Sequence, residues 1–147
     1  MIADRGLRIA ERKIESARIA DALMSAEEFR KRTFQFGICI VRLVQALPKT
    51  DAAHAIGKQL LRAGTAVGAN YRAAARARSR ADFIAKMGIV EEECDESLYW
   101  LEMLIELQVI NESRLKDLCN EANEILSIVV ASIRTARGNA KQAVRYR

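Results

Sequence analysis

The sequence predicts an all-α fold, an antiparallel four-helix bundle connected up-down-up-down, and three observations carry the prediction. Half of the 147 residues are apolar but only 5% are aromatic, and there is a single proline; this is the vocabulary of long helices. Apolar residues recur at alternating spacings of three and four along four segments, the pattern of one helix face. The connections, near 48–50, 78–79 and 109–112, are short, and short links between long helices make neighbours antiparallel. A chain of this length suits one domain whose core needs neither disulfide nor metal.

The first start signal is Ser25 followed by Glu28, a capping box that satisfies free amides at a helix N-terminus. From there Phe29, Thr33, Phe36, Ile40, Leu43 and Leu47 form a seam, and Pro48 ends the helix. The second helix opens at Thr50 or Asp51, carries Ala53, Ile56, Leu60, Ala63, Val67, Asn70 and Ala74, and runs to about Arg78. Ser79 with Asp82 opens the third and longest helix, whose stripe is Phe83, Met87, Val90, Cys94, Leu98, Leu101 and Ile105. After a break at "VINES", the fourth carries Leu115, Leu118, Ala122, Ile125, Val129 and Ile133 and stops at Gly138. At 1.5 Å per residue these segments give matched rods of about 33–43 Å. The bundle domain is thus 25–138. Residues 1–24 form an N-terminal extension in which Leu7, Ile9, Ile14, Ala17, Ala20 and Leu23 could make another amphipathic helix, against which stand Gly6 and mixed charges. Residues 139–147 are a basic tail expected to fray.

Two features of the second helix stand out. Each glycine inside a helix costs about 0.5–1 kcal/mol relative to alanine, yet Gly57, Gly64 and Gly68 recur there, with Gly37 and Gly88 in the first and third helices. A face without side chains lets another helix backbone approach closely; the alternative is room for a ligand. Asn70, at a seam position, must find partners or carry a desolvation cost of about 1–3 kcal/mol, and is expected to fix register or to meet a neighbouring helix terminus.

The net charge of +5 and pI near 9.4 favour an anionic partner. Every charge between residues 52 and 81 is positive, whereas the third helix is strongly acidic, so these two helices can form ion pairs within the bundle or across a subunit contact. The antiparallel arrangement gathers Arg30, Lys31, Arg32, Arg72, Arg76, Arg78, Arg80, Arg134 and Arg137 near one pole, opposed chiefly by Glu27, Glu28 and Asp82. Such a pole can hold phosphates through charge and counterion release; the same cations also suit helix C-termini, where the dipole favours them.

Little points to catalysis. His54 is the only histidine, and no Glu-x-x-His pairs, phosphate loop or nucleophile elbow occur. No enzyme, cofactor or metal is expected. The cysteines Cys39, Cys94 and Cys119 are odd in number and widely spaced, as for reduced core residues. With charges every few positions at the start and no run approaching the roughly 20 residues of a membrane span, a cytoplasmic protein without a membrane role is expected. Tyr99 and Trp100, with Met103 and Leu107, add a second apolar stripe to the third helix, more than one bundle needs to bury, and so point to self-association.

The stretches "AGTAVGANYRAA", "SRADF" and "ESLYWLEML" resemble the four helix bundle protein family that includes the 23S rRNA intervening sequence proteins, densely over 59–104 and more loosely over 26–137. Gly64, Gly68 and Asn70 match that family's small-residue motif, and Ser79 with Phe83 its third-helix opening. The resemblance implies the antiparallel bundle assembled as a homopentameric ring, and no catalytic residues. A relative of that family, the accessory variability determinant of diversity-generating retroelements, implies nucleic-acid binding beside a nucleic-acid enzyme. The reading that results is a non-enzymatic oligomer that binds RNA or DNA through its basic pole; the alternative is a structural or protein-partner module with no nucleic-acid role.

Overall fold

The structure, a computed structural model, describes residues 24–145, with side chains through 138. The described residues form four α-helices and no strand: α1 (Ala26–Gln45), α2 (Asp51–Ala74), α3 (Arg80–Glu106) and α4 (Glu112–Arg145). Chain neighbours pack on one another, and α1 also meets α4 over a smaller surface. The question of helix in the N-terminal extension falls, but for Met24, outside the described residues.

Three helices open on a hydroxyl. Ser25 Oγ accepts from the Glu28 amide at 3.1 Å while Glu28 Oε2 accepts from the Ser25 amide at 2.9 Å, closing a capping box. Thr50 Oγ1 accepts from the Ala53 amide, and Ser79 Oγ from the Asp82 amide. These caps satisfy amides that the first turn leaves without carbonyl partners. The turn after α3 passes through Gln108 at φ 52°, the left-handed conformation that commonly ends a helix.

The core follows the apolar stripes, with two shifts. On α1, Phe29, Thr33, Phe36, Ile40 and Leu43 are buried. On α2 the expected seam residue Asn70 is only half-buried, and its Nδ2 donates to the Ala66 carbonyl one turn back at 2.8 Å. Neither register nor a neighbouring helix terminus involves that bond. The seam place goes to Tyr71, whose ring meets Phe29 edge-on at 4.6 Å and whose hydroxyl donates to the Ala26 carbonyl. On α3 the buried stripe is Met87, Val90, Cys94, Ser97, Leu101 and Leu104, so Ser97 and Leu104 displace Leu98 and Ile105. A serine can occupy the core there because its hydroxyl donates to the Glu93 carbonyl at 2.7 Å, which removes the penalty of a bare buried hydroxyl.

Two boundaries differ from expectation. α2 ends at Ala74, and 75–79 form the turn that Ser79 closes. α4 does not stop at Gly138 but continues to Arg145, so the expected frayed tail is helical through that residue. A helix is free to pass a glycine when no left-handed turn is made there, and no glycine has positive φ among the described residues. α4, with 34 residues against 27 in α3, is therefore the longest helix, and the rods are unequal, about 30 Å for α1 and about 51 Å for α4 at 1.5 Å per residue.

The glycines divide by what lies opposite them. A Cβ at Gly64 would come 2.7 Å from Ile40 Cγ2, and one at Gly68 3.1 Å from the Thr33 carbonyl oxygen. At Gly57 the nearest atom is Leu47 Cδ1 at 3.0 Å, and at Gly37 the Gly64 carbonyl oxygen at 3.7 Å. As the residue number rises from 57 to 68 along α2, the partner falls from Leu47, just past the end of α1, to Thr33 within it, and backbone faces backbone at Gly37 and Gly68. Gly88 has open space before it and takes no part in this contact.

Candidate nucleic-acid interface

The cations expected at one pole are brought to the helix ends in part. Met24 just before α1, the start of α1 (Ala26), the end of α2 (Ala74), the start of α3 (Arg80, Phe83) and the Ser132–Ala136 turn of α4 together line one pocket of 570 Å³. Arg76 and Arg78 lie in the turn between α2 and α3 at this end, exposed, and Arg134 and Arg137 are exposed on the neighbouring stretch of α4.

The acids at this end are already engaged. Glu28 closes the capping box. Glu27 is paired with Arg30, whose Nη2 donates to Glu27 Oε1 at 2.7 Å, and this bond holds the carboxyl below its usual range. Asp82 accepts from Lys86 Nζ at 2.9 Å and from the Arg78 amide, and the two lower its pKa. Among the described residues, Lys31, Arg72, Arg76, Arg78, Arg80, Arg134 and Arg137 form no ion pair within 4.0 Å. The end thus carries positive charge that the described residues do not neutralise.

Arg32 belongs elsewhere. Its Nε donates to Glu121 Oε1 at 2.5 Å, its Nη2 to Glu121 Oε2 at 3.1 Å, and the same Nη2 also pairs with Glu124. The guanidinium is spent on the α1–α4 seam, and its hydrogen bond to Glu121 raises its pKa further. Arg30 is likewise occupied by Glu27. Of the nine residues first assigned to the pole, these two are bound to acids rather than presented to an anion.

A second polar ladder joins α2 to α3. Arg62 Nη2 donates to Glu96 Oε1 at 2.5 Å and Nη1 reaches Glu93 Oε2 at 3.3 Å; Trp100 Nε1 donates to the same Glu96 oxygen at 3.3 Å. Trp100 is half-buried and meets Tyr99 edge-on at 4.9 Å, so its indole works within this ladder. Other large apolar side chains remain exposed nearby, Tyr99 on α3 by 54% and Leu107, which follows the last residue of α3, by 53%.

No cluster that could hold a metal exists among the described residues, and no helix among them is long and apolar enough to cross a membrane. Cys94 Sγ lies 3.2 Å from the Ala122 carbonyl oxygen, and burial pushes its thiol up to about 12, far from a reactive thiolate. His54 is exposed.

Fold and surface define a class: a four-helix protein, all-α over the described residues, with a set of unpaired cations at one end. The family follows from comparison. The chain belongs to the 23S rRNA-intervening sequence protein family, whose model matches residues 25–131. It is similar to a crystallised protein with unknown function from the S23 ribosomal protein family of Bacteroides thetaiotaomicron, at 35% identity and a TM-score of 0.70, covering 76% of this chain and 99% of that one. A search of curated proteins found no match.

The groove beside the cations escaped sequence reasoning. Between α1 and α2 a 600 Å³ groove is lined by Arg30, Lys31 and Arg72 together with Phe34, which is 68% exposed. The signal was present in "RKRTFQF", where Phe34 lies off the seam defined by Phe29, Thr33 and Phe36.

Proposed function

We propose that this chain is a non-enzymatic, antiparallel up-down-up-down bundle that assembles as a homo-oligomer, a ring of five, and binds RNA or DNA through its cationic end. The observation that carries this reading is the disposition of charge there: the acids Glu27, Glu28 and Asp82 are each committed to a local partner, while the side chains of Lys31, Arg72, Arg76, Arg78 and Arg80 form no ion pair among the described residues. Unneutralised cations in such density draw polyanions and release their condensed counterions. A cyclic assembly about an axis along the helices would repeat the end on one face and multiply its charge. A protein located in the cytoplasm, beside an enzyme acting on nucleic acid, would suit such a surface.

The test is binding of structured RNA and duplex DNA across a salt series. The logarithm of the affinity should fall linearly with that of the salt concentration, with a slope of about −0.7 to −0.9 per phosphate contact. Replacing Arg72, Arg76 and Arg80 by Gln together should reduce that slope by about two to three. No binding at low salt, or no effect of the triple replacement, overturns the proposal. Native mass measurement tests the ring separately, since each protomer contributes 16.5 kDa and any copy number but five refutes it.

One observation favours a second reading. The exposed Tyr99 and Ile89 on α3, with Leu107 just past its end, suit a protein contact, and a module that only joins proteins would retain its partner after nuclease treatment.

A further inference from the structure

We propose that the groove between α1 and α2 seats an unpaired base of a single-stranded nucleic acid, with the Phe34 ring as its stacking platform and Lys31 and Arg72 as its phosphate contacts. This rests on the reading of the cationic end as a nucleic-acid surface and names the form of nucleic acid that it takes.

Among the described residues Phe34 is the most exposed large apolar side chain, at 68%, although it stands on the helix whose Phe29 and Phe36 are buried. Its ring lines a 600 Å³ groove, a size within the range of small-molecule sites. The floor is narrow by construction. Gly68 has no side chain, and its α-carbon lies so near the Thr33 carbonyl that an added Cβ would come within 3.1 Å of it. Ala69 adds little bulk beside it, so the space above the floor stays open next to the ring.

The charge around this space has one sign. Lys31 and Arg72 line the groove and have no ion-pair partner among the described residues, Arg30 lines it with its guanidinium held by Glu27, and no acidic side chain lines it. An aromatic face beside unpaired cations is the arrangement by which proteins hold single strands: the base stacks and the backbone follows the positive charge. A duplex keeps its bases stacked on one another and offers none to the ring, so Phe34 should act on single strands alone. The rival occupant is a second copy of the chain that lays the acidic outer face of α3 on the groove.

The experiment measures fluorescence anisotropy of a labelled decauridine and of a duplex RNA of equal length, with the full chain as wild type, Phe34→Ala and Phe34→Tyr. Because Phe34 is exposed, far-ultraviolet circular dichroism should be the same in all three. Phe34→Ala should weaken decauridine binding about tenfold with an unchanged salt slope, Phe34→Tyr should restore it, and duplex binding should change less than twofold. Equal losses on single strand and duplex, or no loss on either, overturn the proposal, as does a fall in native mass on Phe34→Ala, which assigns the groove to a second copy. If the wild type binds neither probe at low salt, the nucleic-acid reading itself fails; if it binds and Phe34→Ala binds equally well, only the stacking site fails.

Discussion

Replacing Gly64 with alanine should destabilise the protein, while the same replacement at Gly88 should stabilise it. In a helix interior the change from glycine to alanine gains about 0.5–1 kcal/mol, because the unfolded chain loses freedom. At Gly88 nothing lies within 4 Å of the new methyl group, so that gain should appear in full. At Gly64 the methyl would stand 2.7 Å from Ile40 Cγ2, 2.8 Å from Cγ1 and 3.0 Å from Cβ. The Cβ is fixed to the backbone of α1, and Ile40 is fully buried, so a rotamer change cannot clear the contact and the helices must separate. Such overpacking costs about 1–3 kcal/mol, which places Gly64→Ala about 1–3 kcal/mol below Gly88→Ala and, net of the alanine gain, up to about 2 kcal/mol below wild type. Urea denaturation followed by circular dichroism, at one fixed protomer concentration because association shifts the midpoint, measures both. Ile40→Ala should add a cavity cost alone but combine with Gly64→Ala less than additively, since it removes the atoms that clash. If Gly64→Ala proved as stable as Gly88→Ala, the close α1–α2 contact would be refuted.

Two further outcomes follow from the polar contacts. Arg32→Met should cost about 1 kcal/mol, the discounted value for a partly exposed pair, with most of the loss disappearing at 1 M salt, while the salt slope of nucleic-acid binding stays as in wild type; urea titrations and binding assays at two ionic strengths check this. The Cys94 thiol should resist labelling by a thiol reagent until the protein unfolds. Because its folded pKa is raised to about 12 from about 8.5 in the unfolded chain, the stability linked to it is complete below pH 8.5 and declines by up to about 1.4 kcal/mol per pH unit as the pH climbs towards 12; Cys94→Ala should remove that component from the pH profile.

The α1 seam was legible residue by residue because the three-four alternation runs unbroken from Phe29 to Leu43, with Thr33 holding its place by donating its hydroxyl to the Phe29 carbonyl. Where a polar residue interrupts the count, periodicity misled: Ser97 was passed over for Leu98, although a hydroxyl that bonds its own helix can be buried, and Asn70 was placed on the seam that Tyr71 fills. Gly138 looked like a stop because glycine often ends helices, but ending one needs a left-handed turn, which residue identity alone does not impose. The sign of the charge at the helix ends was readable, whereas the partner of each cation was not. Arg32 sits 89 residues from Glu121 along the chain, a proximity that only packing creates.

The clamp made by Arg32 spans the one lateral contact in the four-membered cycle that no turn ties together. Each other adjacent pair is consecutive in the chain and cannot drift far apart, whereas the first and last helices meet only through weak forces and over the least surface. Separation should begin along this line, with α4 swinging out on the 107–111 linker as a unit. An α4 released in this way carries the complementary face for any other opened protomer, so the same seam that closes the monomer is the route by which two chains would trade their last helices.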